Sequence, residues 1–417
     1  MKYVIMCGTA DYIHYWPDLP KHLQKIHGEV IVERTIRILH ELGIDDITIT
    51  SNDDRFANLG VNYFKYDSSG TWCNGFFNFK EPVCYIFGDV YFSYSVLYKM
   101  INTDTDDIEF FASNKRFIKR WAEPYGFKVV NYNRFFECIE KNKELFEKRV
   151  FPRSSAWELW QIIKDTEYNH IDYNNYVAIN DYSCDIDEPK DIGRMEWFLS
   201  NQNIMIHCVP SRFDYVMNYL IPSLEEQRIS KITIYNDINM SGNLQACVNS
   251  FKSLPDDGYT WHLQDDIVIS RSFVDTIKDT KQEIVCGFSS SYDRYKDGLV
   301  TPNEMWFSFP CIKIPNKIAK EFANWIEDDS IEKSPRLANY IKENKYDDTL
   351  FKKFLIQYYP DIEVLNLNPN IVNHIDYLLG GSVATPKRNE YVKKILSRYW
   401  SEDDIIKDIE EKLKNNN

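Results

Sequence analysis

The sequence predicts an α/β chain of two domains, each a mostly parallel sheet flanked by helices. Three observations predict it. Short β-branched or aromatic runs alternate with helical patterns along the chain, as strand–helix–strand units require. The length, 417 residues, suits two or three domains. After a polar break at Ser200-Asn201-Gln202-Asn203, the pattern restarts with a new first strand, IMIHC at 204–208. The boundary falls near 200, giving domains over 1–200 and 203–390, with a charged helix or tail at 391–417.

In the first domain, 2–7 (KYVIMC) reads as a buried strand and 28–42 as a helix with Ile31, Ile38 and Leu42 on one face. Gly43 stops that helix and 46–50 (DITIT) is the next strand, completing a right-handed βαβ unit. VCYIF (83–87) is another buried strand, ending in Gly88-Asp89. Weaker strands follow around 107–111 and 126–130, with helices near 133–145, 155–164 and, started by a proline, 189–199. In the second domain the strands are 204–208, 231–235 and 259–263, alternating with helices at 211–224 and 243–251. No fixed-period repeat relates the halves.

Composition narrows the function. Lys+Arg 49 against Asp+Glu 63 gives a net charge of −14, which leaves little general attraction to nucleic acid or anionic lipid and keeps only a local basic channel open. Aromatics make up 15%, and most belong in the core. The nine cysteines form no CxxC pair; Cys7, Cys84, Cys208 and Cys286 sit in apolar runs that suit buried, reduced thiols. No apolar stretch nears the ~18 residues that span a bilayer. The run Tyr3–Cys7 is too short for a signal peptide, so the expected compartment is the cytoplasm.

The informative stretch of the first half is 5–37, where a strand feeds a loop, Pro20-Lys21 and a helix carrying Glu33, Arg34 and Arg37. Ligands of open α/β sheets sit beyond the carboxyl ends of strands, so this loop should line a site. Gly8 lets the backbone approach a phosphate, and Lys21 supplies a positive charge. The stretch 5–37, with ELGIDDITIT (41–50), FGDV (87–90) and CDIDEPKDI (184–192), resembles the sugar-1-phosphate nucleotidyltransferase superfamily, the nucleotide-sugar pyrophosphorylases and cytidylyltransferases. That resemblance implies NTP and a sugar or alcohol phosphate as substrates. It further implies Mg²⁺ held by Asp89 and Asp187, with Asp185 as understudy, and Lys21 offsetting charge that develops at the α-phosphate. The loop GTADYIHYW (8–16) lacks the second glycine and the arginine of the family's GxGxR. Lys115, Arg116, Lys119, Arg120, Trp121, Tyr125 and Lys128 form either an acceptor-phosphate site or a solvated basic helix and edge strand.

In the second half, HLQDDIVISRSF (262–273) ends an apolar strand in adjacent acids, whose mutual repulsion a divalent cation relieves. Turn acids in solvent are the plainer alternative. Asp347-Asp348 begin an amphipathic helix, an ordinary position for Asp, and His374 lies just before Gly380-Gly381 in an apolar turn. These segments over 203–385 resemble GT-A fold glycosyltransferases, making both domains Rossmann-like. The resemblance implies Asp266 and His374 as ligands of Mn²⁺ or Mg²⁺, Asp265 toward the nucleotide ribose, and Asp348 as general base of an inverting transfer. Ser211 and Arg212 at a helix start are placed to receive a diphosphate, and Asp237 to contact a base or ribose. Trp306, Phe307 and Phe309 serve an acceptor platform or the core.

Together the two resemblances imply a bifunctional enzyme of polysaccharide synthesis or glycan decoration. One domain activates a sugar or alcohol phosphate, and the other transfers a glycosyl group from a nucleotide sugar to a glycan or other hydroxyl acceptor. Two alternatives stay open: a metal-dependent glycosyltransferase whose first domain is a degenerate nucleotide-binding module, or a non-catalytic sugar-binding protein. Neither nucleic acid nor membrane is an expected stable partner.

Overall fold

The computed structural model describes residues 1–8, 15–67, 75–76, 81–114, 122–166, 176–289, 298–304, 309–330, 332–367, 370–376 and 379. The chain divides into two compact units, Met1–Leu199 and Ser200–Asn417.

Unit 1 contains strands β1 (Lys2–Met6), β2 (Lys25–Ile26), β3 (Glu29–Val30), β4 (Ile47–Ser51), β5 (Asn62–Lys65), β6 (Val83–Phe87), β7 (Val90–Tyr91), β8 (Ile108–Ser113), β9 (Pro124–Val129), β10 (Val177–Ile179) and β11 (Cys184–Asp185). Its helices are α1 (Ile31–Glu41), α2 (Tyr94–Asn102), α3 (Tyr132–Glu147), α4 (Ala156–Ile163) and α5 (Pro189–Phe198). Seven strands form one sheet in the order β10-β8-β9-β6-β1-β4-β5. Four neighbouring pairs are parallel, and only β9 runs antiparallel to its two neighbours. Side-chain alternation gives the sheet two apolar faces. From β1, Val4 and Met6 face a core with Tyr85, Phe110, Phe127, Phe135 and Trp160. There Trp160 stacks on Phe110 with ring centroids 5.2 Å apart.

α1 forms because Ile31, Val32, Thr35, Ile38 and Leu39 recur on its buried face. It ends where Gly43, at φ +80°, takes the left-handed conformation and donates its N–H to His40. Ser155 and Glu158 cap α4 reciprocally, and Pro189 occupies the first turn of α5.

Unit 2 contains β12 (Ile204–Cys208), β13 (Ile232–Asn236), β14 (Tyr259–Gln264), β15 (Ile267–Ile269), β16 (Ile284–Cys286), β17 (Gly298–Val300), β18 (Cys311–Pro315), β19 (Val364–Asn366) and β20 (Val372–His374). Its helices are α6 (Phe213–Tyr215), α7 (Ile221–Glu226), α8 (Asn243–Lys252), α9 (Phe273–Lys278), α10 (Asn316–Glu327), α11 (Pro335–Lys342) and α12 (Asp347–Tyr358). The sheet order is β13-β12-β14-β18-β16-β19-β17. β13, β12 and β14 are mutually parallel, as are β16 and β19, while β18 and β17 run antiparallel to their neighbours. Met205, Val248, Phe251, Ile312, Phe322, Phe351 and Phe354 belong to its core. The helix expected over 211–224 opens with a 3₁₀ turn, Pro210–Arg212, and carries a π turn at Val216–Leu220.

Strand order locates a crevice in each unit. After β4 and β5 on one side of β1, the chain crosses to β6 on the other, so a switch point opens beyond Met6 and Phe87. After β13, it crosses β12 to reach β14, opening a second beyond Cys208 and Gln264. The expected tail at 391–417, loop residues 9–14 and the Trp306-Phe307 pair lie outside the described residues. Among the described residues, no helix is long and apolar enough to cross a membrane. Cys7, Cys84, Cys208 and Cys286 are buried.

Candidate functional sites at the two switch points

In unit 1, β6 delivers Gly88-Asp89 to the crevice, and Lys21 enters it from a 3₁₀ turn, Lys21–Leu23, behind Pro20. Asp187 comes from much later in the chain. The β7–β11 ribbon pairs Cys184 with Tyr91, and Ile186 donates its N–H to Asp89 O at 3.0 Å. Asp191, in the first turn of α5, accepts the N–H groups of Asp187 and Glu188. Trp16 Nε1 donates to Asp187 O at 3.0 Å.

The result is a buried ammonium between two carboxylates. Lys21 Nζ lies 2.6 Å from Asp89 Oδ2 and 3.2 Å from Asp187 Oδ1, with 4% of the lysine side chain exposed. Burial alone would raise the Asp89 carboxyl, but Lys21 and then His22 outweigh it and hold the group below its ordinary value. His22 is itself buried, which pushes its imidazole down to about 4 and keeps it neutral. Gly88 has no room for a side chain: a Cβ there would lie 2.5 Å from Cys7 Sγ and 3.0 Å from Met6 O. Gly8 lies two residues beyond β1, where a Cβ would meet Tyr66 Oη at 2.9 Å.

Other basic groups expected near this site have different work. Arg34 is fully buried and donates to Glu29 and Phe92 O, while Arg37 donates to Glu29, Glu41 and Tyr94. Lys128, expected in the basic segment, is buried and its Nζ donates to Ile101 O and Thr103 O. Tyr125 donates to Ser183 O. Neither presents a polar end to a ligand, because each satisfies a carbonyl that would otherwise be buried unpaired. Residues 115–121 lie outside the described residues.

In unit 2, β14 delivers Asp265 and Asp266, which are 4% and 5% exposed. Arg212 stands between them: its Nη1 lies 2.7 Å from Asp265 Oδ1 and 2.6 Å from Asp266 Oδ2. Val209 N donates to Asp265 Oδ2 at 2.8 Å. The β15–β20 ribbon pairs Ile267 with His374, and Ile375 N donates to Asp266 O, which brings His374 Nε2 to 3.1 Å from Asp266 Oδ1. Burial, then repulsion from Asp266, pushes Asp265 up to about 6 against the pull of Arg212. Burial would raise Asp266 too, but His374 and Arg212 hold it low. Adjacent strand-end acids therefore have a partner within the chain.

Ser211 is exposed in the turn that carries Arg212. Asp237 follows β13, buried, with its N–H on Cys208 O and its carboxylate accepting from Ser241 Oγ at 2.8 Å. Asp347 and Asp348 open α12 in a neighbourhood centred on α8, where Asn344 accepts from Gln245 N and donates to Ser241 O. Asp348 accepts from Thr349 N at 2.6 Å, while burial and then Asp348 push the Asp347 carboxyl up to about 7. Phe309 is core.

The donor sets bear on metals. Asp89 and Asp187 converge on one cation with oxygen donors only, which fits Mg²⁺. Asp266 and His374 offer oxygen and imidazole nitrogen, which fits Mn²⁺ or Mg²⁺. Among the described residues, no three His, Cys, Asp or Glu side chains are arranged to hold a metal ion by themselves.

Sequence reasoning missed His22, Asp191 and Asp376. Asp376 is 4% exposed, with Oδ1 3.9 Å from His374 Nδ1. Its signal was available: residues two apart on extended chain share a face.

No family model matches the chain, and no curated protein matches it. Among solved structures, the N-terminal part is similar to the inositol-1-phosphate CTP transferase from T. maritima, at 15% identity over 46% of this chain and 90% of that one, with a TM-score of 0.32. It is also similar to the CTP:phosphocholine cytidylyltransferase from Streptococcus pneumoniae, at 14% identity over 47% and 97%, with a TM-score of 0.31. A third is the 4-diphosphocytidyl-2C-methyl-D-erythritol synthase from Anaerococcus prevotii DSM 20548, at 13% identity over 47% and 98%, with a TM-score of 0.32.

Proposed function

We propose that unit 1 is a nucleotidyltransferase that joins an NTP to a sugar phosphate or related alcohol phosphate. One observation carries this reading: a buried lysine ammonium held between two carboxylates at a sheet switch point. A phosphate oxygen of the acceptor attacks the α-phosphorus of the NTP, one P–O bond forms, and the bond to pyrophosphate breaks. Lys21 offsets the charge that gathers on the α-phosphate oxygens. Asp89 and Asp187 are the residues that hold Mg²⁺, which supplies Lewis-acid polarisation of the phosphate when bound. His22, neutral and buried, adds no competing charge.

The test is pyrophosphate release from CTP, UTP, GTP and dTTP with a panel of sugar and alcohol phosphates. Asp89→Ala and Lys21→Ala should each lower the rate by 100-fold or more, by about 3 kcal/mol of transition-state stabilisation. No release with any pair, from a folded protein, overturns the reading and leaves a degenerate binding module.

The Arg212–Asp265–Asp266–His374 cluster at the second switch point favours a second reading, for unit 2. There the unit takes a nucleotide sugar and transfers its glycosyl group to a glycan or other hydroxyl acceptor. Asp266 and His374 are the residues for Mn²⁺ or Mg²⁺, and Asp348 is the base in an inverting course. Hydrolysis or transfer of a nucleotide sugar lost in Asp266→Ala but kept in Asp89→Ala supports it. If no nucleotide sugar binds at all, a non-catalytic sugar-binding role for unit 2 takes its place.

A further inference from the structure

A single guanidinium nitrogen, Arg212 Nη1, touches two carboxylates from adjacent residues at 2.7 and 2.6 Å. That is the position a divalent cation takes when it bridges such a pair. The surrounding charge does not close on arginine alone. Asp265, Asp266 and Asp376 are all more than nine-tenths buried; among the described residues Arg212 pairs with the first two, and His374 faces Asp266 and Asp376. Asp376 Oδ1 accepts no hydrogen bond among the described residues, and it lies behind His374, whose other nitrogen faces Asp266. A buried carboxylate oxygen left without a donor is costly, and a charge entering beside it lowers that cost.

We propose that Arg212 is an exchangeable stand-in: a divalent cation entering at Asp266 and His374 expels its guanidinium, which then receives the anionic phosphates arriving with the metal. This rests on reading the second switch point as a metal and nucleotide site. Both oxygens of Asp266 are already taken, Oδ2 by the guanidinium and Oδ1 by His374, so a metal ion must displace the guanidinium to share this carboxylate with the imidazole. Like charges cannot share the two carboxylates, so metal and guanidinium compete, and the metal binds only the fraction of molecules in which Arg212 has moved away. Once displaced, Arg212 has a planar, five-donor head on a short turn at the crevice, suited to a diphosphate.

Mn²⁺ binding to the full chain, followed by the electron paramagnetic resonance of free Mn²⁺, tests the exchange without any activity readout. The protein carries Asp89→Ala, so that the unit 1 carboxylates do not contribute. Arg212→Gln should bind Mn²⁺ at least 10-fold more tightly than the parent, and Arg212→Lys, which keeps a cation there, should stay near the parent. Asp266→Asn should abolish binding in either background. Unchanged or weaker Mn²⁺ binding in a folded Arg212→Gln, with Asp266→Asn still abolishing it, overturns the exchange and leaves the metal site standing. Mn²⁺ binding indifferent to Asp266→Asn and to His374→Ala, or none at all, overturns the site reading and the exchange with it. Circular dichroism on each variant separates loss of fold from loss of affinity.

Discussion

Asp187 Oδ1 meets Lys21 Nζ at 3.2 Å across 166 positions of sequence, and Asp191 fixes the approach by accepting the Asp187 N–H. The lysine is thereby committed to two acids at once. Replacing it with Met leaves Asp89 and Asp187 facing each other without a counter-ion, at a cost of about 3 kcal/mol. Urea unfolding should show that loss, and Lys21→Arg should not restore transfer activity, because a planar fork does not reproduce a point charge. Full stability in Lys21→Met would contradict the pairing.

Gly88 gives a steric prediction. Gly88→Ala drives a methyl group to 2.5 Å from Cys7 Sγ and 3.0 Å from Met6 O, and backbone cannot yield as a flexible side chain does. A destabilisation of roughly 1–3 kcal/mol is expected. Because the strain sits beside Asp89, pyrophosphate release should fall as well. An Ala variant with unaltered melting and rate would count against this packing.

His207 Nε2 and His262 Nδ1 lie 3.0 Å apart inside unit 2. Burial pushes His207 down to about 4, and burial and then His207 push His262 well below its ordinary value. Both stay neutral when folded and take up protons when unfolded. The unfolded state therefore binds more protons between about pH 6.5 and 4, and stability falls as pH drops through that window. His207 alone contributes at most about 3 kcal/mol, at about 1.4 kcal/mol per pH unit. Urea unfolding at pH 7.5 and 5.0 should show a smaller acid loss in His207→Leu/His262→Phe than in the parent.

Asp347 runs the other way. Its carboxyl is pushed up to about 7, so protonation favours the folded state, and stability is lost as pH rises from about 4 through 7. Asp347→Asn should stabilise at pH 8, on the order of 2 kcal/mol, and have little effect at pH 4. Melting curves at both pH values read this directly.

Asp376 Oδ1 lies 3.9 Å from His374 Nδ1, on the side of the imidazole away from Asp266. Asp376→Asn should weaken Mn²⁺ binding by about 10- to 100-fold while leaving the melting temperature near that of the parent. The paramagnetic titration used for Arg212 measures it.

Much of this was legible in the sequence, for local reasons. VCYIF and IMIHC announce buried strands by composition alone, and β6 and β12 span those residues. Asp89 and Asp266 follow from their strand ends. Side-chain pairing between distant segments was not legible: nothing local says that Lys21 meets Asp187 while Asp185 stays in a ribbon opposite Val90. Nor does a sequence show that Asp265 and Asp266 face the Arg212 guanidinium. The π turn at Val216–Leu220 is equally invisible, since its apolar spacing is that of an ordinary helix.

The two-residue ribbon joining Val90–Tyr91 to Cys184–Asp185 has a consequence for synthesis on the ribosome. By residue 129 the emerging chain already holds six of the seven strands of its first sheet, together with Lys21 and Asp89 in the segments between them. The second carboxylate has not yet been made. A nascent polypeptide stalled before residue 187 thus carries Asp89 and Lys21 without Asp187, and the pairing of two acids on one lysine becomes possible only with a few residues translated late.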